Sequence, residues 1–143
     1  DALSATRAAI EEGIVPGGGT ALLRACETLK FAELDNSDQA LGIAIIKEAC
    51  TEPIRQMALN AGASPDLVLQ QVRQSEAPEG WDFRKGELTN LYENGVIDPV
   101  KVTRTALQNA ASVAGIVLTT EAAITEAQTA GDGGHSHHGH QHH

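Results

Sequence analysis

The chain has 143 residues and a formal charge of −9, from 10 Lys and Arg against 19 Asp and Glu. That size suits one domain, and that charge offers nucleic acid or an anionic membrane no electrostatic footprint. It is 41% hydrophobic but only 3% aromatic, with 22 alanines, so its core has to come from small and aliphatic side chains, which favours closely packed helices.

Residues 1–12 place Ala2, Leu3, Ala5, Ala9 and Ile10 at helical spacing, with Arg7, Glu11 and Glu12 on the other side. Asp1 reads as an acidic helix start. The chain opens directly on this periodicity, as a piece of something larger would. Gly13 ends the helix, and Ile14-Val15-Pro16 is extended because a residue before proline avoids the helical region. Gly17-Gly18-Gly19 then forms a loop feeding a helix over residues 20–29.

Asn36, Ser37 and Asp38 offer N-caps to a long apolar helix carrying Leu41, Ile43, Ala44, Ile45, Ile46, Ala49 and Cys50. Pro53 breaks or restarts it, and Ile54, Met57 and Ala58 continue to a stop at Asn60-Ala61-Gly62. Ser64-Pro65-Asp66 caps the next helix, with Leu67, Val68, Leu69 and Val72 facing inward. Cys26 and Cys50 sit in apolar helical stretches and read as two buried thiols in a reducing compartment, with a redox pair as the alternative.

Residues 75–95 change texture, and Trp81-Asp82-Phe83 and Glu87-Leu88-Thr89 read as two short strands around a turn at Lys85-Gly86. Asp98-Pro99 is an N-cap followed by proline, opening a helix from Val100 to about Leu118 that is apolar on nearly all sides, as the central helix of a bundle would be. Residues 119–124 are β-branched enough for a terminal strand, and residues 129–143 form a disordered Gly/His-rich tail. Neither a secretory leader nor a membrane-spanning run is apparent, so the chain reads as soluble and intracellular.

All six histidines lie among residues 135–143, so chemistry elsewhere has to use carboxylates, lysine or backbone groups. Gly17-Gly18-Gly19 before a helix N-terminus suits a phosphate or ribose neighbour, but a flexible connector has the same composition. Asp98 reads the same two ways, as a cap serving its own helix or as a ligand contact.

Longer strings carry more. Asp1-Ala-Leu-Ser-Ala-Thr-Arg-Ala-Ala-Ile-Glu-Glu-Gly-Ile-Val-Pro-Gly-Gly-Gly19, then Ile97-Asp-Pro-Val-Lys-Val-Thr-Arg-Thr-Ala-Leu-Gln-Asn-Ala-Ala-Ser-Val-Ala-Gly115 and Leu118-Thr-Thr-Glu121, closely resemble the C-terminal part of the GroEL-type group I chaperonin large subunit. The resemblance implies that residues 1–12 end an intermediate domain, that residues 13–128 are the C-terminal half of an equatorial, ATP-binding and ring-forming domain, and that 129–143 are a tail. The implied fold is mainly α, a helical bundle with a small β-hairpin and a C-terminal strand. The implied whole-protein function is ATP-driven encapsulation and refolding of nonnative proteins in the bacterial cytoplasm. Its partners would be further copies in stacked rings, a cochaperonin and nonnative clients, without nucleic acid or membrane.

By the same resemblance, Asp1 is the catalytic carboxylate that positions the water attacking the γ-phosphate of ATP, a task of placement and electrostatics. Gly18 lies against the nucleotide's sugar, Asp98 accepts from the ribose hydroxyls, and Asp82 stands beside the adenine. Phe83 and Arg84 depart from the small residues usual after that position: the former stacks on the base or fills the pocket, and the latter turns to the phosphates or to solvent. The family's phosphate loop and Mg²⁺-binding aspartate precede the equivalent of residue 1, so the chain alone is expected neither to bind ATP tightly nor to hydrolyse it. The segment Ala122-Ala123-Ile124-Thr125 would pair with a strand of a neighbouring subunit.

The tail histidines His135, His137, His138, His140, His142 and His143, interrupted by Ser136, Gly139 and Gln141, read as a natural tail more than a purification tag. They would bind Ni²⁺, Zn²⁺ or Cu²⁺ weakly. The competing function class is a non-enzymatic, truncated helical paralogue that binds metal or a protein partner through this tail.

Overall fold

The computed structural model describes residues 1–29 and 36–131, with side chains described as far as residue 120. In chain order the elements are α1 (Ala2–Glu12), β1 (Ile14–Pro16), α2 (Thr20–Glu27), α3 (Ser37–Ala49), α4 (Glu52–Asn60), α5 (Pro65–Gln74), β2 (Glu79–Asp82), β3 (Glu87–Asn90), β4 (Ile97–Pro99) and α6 (Val100–Gly131). The chain is mainly helical, as its alanine content implies, and divides into one unit over Asp1–Thr103 and a second beginning at Arg104.

Local signals set the helix starts of the first unit. The Asn36 side chain accepts from the Gln39 N–H at 2.9 Å, and Ser64 accepts from the Leu67 N–H ahead of a first turn that contains Pro65. Each cap satisfies a donor that the helix cannot. Pro53 restarts the chain as α4, sitting in a first turn where its missing N–H removes no helical bond.

The core gathers Leu23 of α2, Ile54 and Ala58 of α4, Val68, Leu69 and Val72 of α5, and Trp81 of β2, with Ala63, Phe83 and Leu88 packed at its margin. The spacing from Ile54 to Ala58 and from Val68 to Val72 is one helical turn, so each helix buries one stripe. Leu67, expected inward, is 48% exposed because its direction lies well over a right angle from the stripe of Val68, Leu69 and Val72.

Two antiparallel pairs complete the unit. β2 and β3 form the anticipated hairpin, with Trp81 opposite Leu88, and the turn closes through the Gly86 N–H donating to the Asp82 carbonyl at 2.7 Å. β1 pairs with β4 in the register Ile14↔Pro99, Val15↔Asp98, Pro16↔Ile97. Asp98 is therefore a strand residue rather than a helix cap, and α6 starts two residues later, where the Val100 N–H donates to the Gly13 carbonyl at 3.1 Å. Cys26 at the end of α2 and Cys50 at the C-cap of α3 are joined as a disulfide, which corrects the reading of two free thiols.

In the second unit α6 continues to Gly131, replacing the expected terminal strand over residues 119–124 and taking in the first residues of the expected tail. The hydroxyls of Thr119 and Thr120 donate to the carbonyls of Gly115 and Ile116, each at 2.9 Å, so these β-branched residues bond back along the helix and fit it. Every described side chain from Arg104 to Thr120 is exposed, including Leu107, Val113, Ile116, Val117 and Leu118, so the burial expected of a central helix is not found. Residues 132–143 lie outside the described residues. Among those described, no helix is long and apolar enough to cross a membrane.

Candidate functional site

The loop Gly17–Gly19 leaves the β1–β4 pair and runs into α2, and its close contacts explain its composition. The Gly17 N–H donates to the Val96 carbonyl at 2.9 Å, and a Cβ on Gly17 would stand 3.2 Å from the Val96–Ile97 backbone. Gly18 has φ +66°, and a Cβ there would lie 3.3 Å from the Trp81 carbonyl oxygen and 3.7 Å from Cε2 of Phe83. Glycine alone meets both demands, the left-handed backbone and the close approach. The loop is thus wedged between the residues leading into β4 and those flanking Asp82.

Asp82 is only 1% exposed. Its Oδ1 accepts from the N–H groups of Arg84 at 2.9 Å and Lys85 at 3.2 Å, closing the hairpin turn as aspartate side chains do. Its Oδ2 is buried without a hydrogen-bond partner among the described residues, a costly state for a carboxylate oxygen. The Arg84 guanidinium is no compensation: its Nε is 3.9 Å from Oδ1, its side chain is 76% exposed, and its Nη2 donates to the Asn94 carbonyl. Lys85 also turns to Asn94, donating from Nζ to Oδ1 at 2.7 Å. Of the alternatives for the two departures, Phe83 packs at the margin of the core and beside Gly18, and Arg84 faces solvent and the turn before β4.

Asp98 stands opposite Val15 in the β1–β4 register and is partly buried. Loss of water around it holds its carboxyl above the ordinary carboxylate pKa. The glycine loop is the common neighbour of these groups, with Gly18 against the residues on either side of Asp82 and Gly17 against those preceding Asp98.

Asp1 is not brought to this place. It is exposed at the N-cap of α1, makes no side-chain capping bond, and is separated by the 11 residues of α1, about 16 Å at 1.5 Å per residue, from the end that enters β1. That far end is anchored by the Lys101–Glu11 ion pair and by the bond from Val100 to Gly13.

Sequence reasoning missed the pairing of β1 with β4, which sets the position of Asp98, and the role of Asn94 in drawing Arg84 and Lys85 away from Asp82. Neither has a local signal, because the partners are brought together only by the fold. Among the described residues no group of three or more His, Cys, Asp or Glu could hold a metal ion, and the six tail histidines, His135 to His143, fall outside them.

The arrangement offers two acidic acceptors and a tight glycine loop ahead of a helix N-terminus, a set suited to a ligand that presents hydroxyl or amino donors. A model of the TCP-1/cpn60 chaperonin family matches residues 1–128. With most of its length matched in this way, the chain belongs to the TCP-1/cpn60 chaperonin family.

Proposed function

We propose that this chain is the C-terminal part of a group I chaperonin subunit and carries the nucleoside-facing side of its ATP site. Membership of the family supports a chaperone role in protein folding, with oligomeric assembly and client proteins. The observation that supports the nucleotide reading best is the buried Asp82 carboxylate, whose Oδ2 lacks a partner among the described residues and lies next to residues that pack on Gly18. An amino group such as the exocyclic amine of adenine would supply the missing donor. Asp98, already partly stripped of water, would accept from ribose hydroxyls, and Gly18 would let backbone lie against the sugar where any Cβ would intrude.

Asp1 takes the role of orienting the attacking water in the assembled subunit. That role requires α1 to move as a lever relative to the glycine loop, since in this arrangement its N-terminus lies a helix length from the end that enters β1. The phosphates and Mg²⁺ are assigned to residues outside this chain. ATP hydrolysis coupled to refolding is accordingly proposed for the whole subunit, and the chain alone is proposed to be inactive.

Titration of the ¹⁵N-labelled chain with ATP, followed by amide chemical shifts and calorimetry, tests the reading. Expected are shifts clustered at residues 17–19, 81–84 and 96–98, with an affinity well short of micromolar. Shifts confined to other segments would refute the site, and micromolar affinity would refute the assignment of the phosphates to residues elsewhere.

A further inference from the structure

A cleft of about 210 Å³ lies between α2 and α5, lined by Leu23, Arg24, Glu27, Val72, Arg73 and Ser75. Leu23 and Val72 belong to the core, so the floor is apolar and fixed. The volume is below the roughly 300–1,000 Å³ of drug-sized sites, which limits an occupant to a small group.

The charges around the cleft are unequally matched. Arg73 pairs with Glu27, Nε to Oε1 at 3.0 Å. Among the described residues Arg24 has a neutral partner: its Nη2 donates to the Ser75 hydroxyl at 2.9 Å, and that hydroxyl in turn donates a hydrogen bond to the Val72 carbonyl at 2.8 Å. Nη1 of Arg24 is buried with no hydrogen-bond partner among the described residues. Its place in the last turn of α2 is favourable toward the helix dipole. Glu79 is near enough to act on the guanidinium electrostatically, yet makes no ion pair with it among the described residues. Burial outweighs that attraction and lowers the Arg24 pKa, the mark of a cation short of compensation.

We propose that the Arg24 cleft is a binding site for a small oxyanion, a carboxylate or a phosphoryl group, held by the free edge of the guanidinium. The planar fork suits two oxygens of one such group, and a charge-assisted bond to Nη1 removes the cost of leaving it unpaired. Arg73 is neutralised by Glu27, which lines the same cleft, so the Arg24 guanidinium is the ligand-binding cation of the proposal. The site is independent of the nucleotide reading, since none of its lining residues belongs to the glycine loop or to the strands around Asp82 and Asp98.

The test is a nuclear magnetic resonance titration of the full chain with sodium phosphate and, separately, sodium acetate, each against sodium chloride at matched ionic strength. Saturable change is expected at the Arg24 side chain and the Ser75 amide. Saturation by phosphate alone assigns a phosphoryl group, and saturation by acetate assigns a carboxylate. Arg24→Met should abolish it, and Arg24→Lys, which keeps the charge but loses the fork, should weaken it by roughly tenfold or more. Glu79→Gln should tighten it by removing a competing negative charge. No saturation by either anion, or saturation that survives Arg24→Met, overturns the proposal. Should the methionine variant fail to fold, unchanged affinity in both Arg24→Lys and Glu79→Gln overturns it equally.

Discussion

Val15 and Asp98 face each other across the antiparallel pair of β1 and β4, which puts a partly buried carboxylate opposite a residue three positions along the chain from Gly18, the glycine beside Phe83. The pairing gives Asp98 a cost to the fold and, on the proposed nucleotide reading, a role as ligand acceptor, and a single substitution separates the two.

Burial raises the Asp98 pKa, so the native chain keeps this proton at pH values where the unfolded chain has lost it. The native state binds more protons in that window, and stability falls as pH rises through it. Asp98→Asn should therefore be more stable than the parent at pH 7. The difference should vanish below the unfolded carboxylate value of about 3.9. Urea unfolding at both pH values checks this, and equal stability at pH 7 would remove the burial argument. On the proposed nucleotide reading, the same change in the assembled chaperonin should weaken nucleotide binding by roughly tenfold or more, through loss of a charge-assisted acceptor.

Gly13 and Gly18 both have positive φ, at +87° and +66°, but a Cβ on Gly13 meets nothing within 4 Å. Gly13, at ψ −170°, lies in a region that is essentially glycine's alone, so Gly13→Ala should cost about 1–3 kcal/mol of backbone strain. Gly18→Ala adds contact with the Trp81 carbonyl and should cost about 2 kcal/mol or more. Thermal unfolding measures both, and a neutral Gly18→Ala variant would contradict the crowding at Gly18.

Asp82→Ala should destabilise by about 2 kcal/mol, since the N–H groups of Arg84 and Lys85 lose their acceptor inside the turn. Asp82→Asn keeps a carbonyl oxygen for both and should cost less than half as much. Denaturant midpoints measure both, and a neutral alanine variant would show that the turn does not depend on this side chain.

The Cys26–Cys50 bond closes a sequence separation of 24 residues. On loop entropy alone its reduction should lower stability by about 3 kcal/mol. Denaturant melts with and without reductant check the magnitude, and a thiol assay under denaturing, nonreducing conditions should find no free cysteine.

What could be read in advance was what neighbours in sequence decide. Asn36, Ser64 and Pro65 act within one turn of their own helices, and the helix ends at Gly13 and Gly62 needed only local conformational preference. Asp98-Pro99 misled because an acidic residue before proline reads as a helix cap, although the rule that makes Val15 extended before Pro16 applies equally to Asp98. Its strand state depends on Ile14–Pro16, far away in sequence. Thr119 and Thr120 misled because β-branching favours strands on average, whereas in α6 their hydroxyls bond back along the helix. Of the candidate site, the resemblance singles out Gly18 and Asp82, which are tightly packed, while the Oδ2 of Asp82 and the Nη1 of Arg24, both without partners among the described residues, are apparent only in three dimensions.

The match of residue 14 to residue 99 also imposes an order in time. On a ribosome delivering roughly 5–20 residues per second, β1 emerges seconds before the only strand it pairs with among the described residues. Until then its backbone edge is an open template, and the glycine loop has neither Val96 nor Trp81 to hold it. The hairpin of β2 and β3 and the α4–α5 pair can form from local contacts in the meantime, whereas closure of β1 on β4 must wait, a long-range contact of the kind that slows folding.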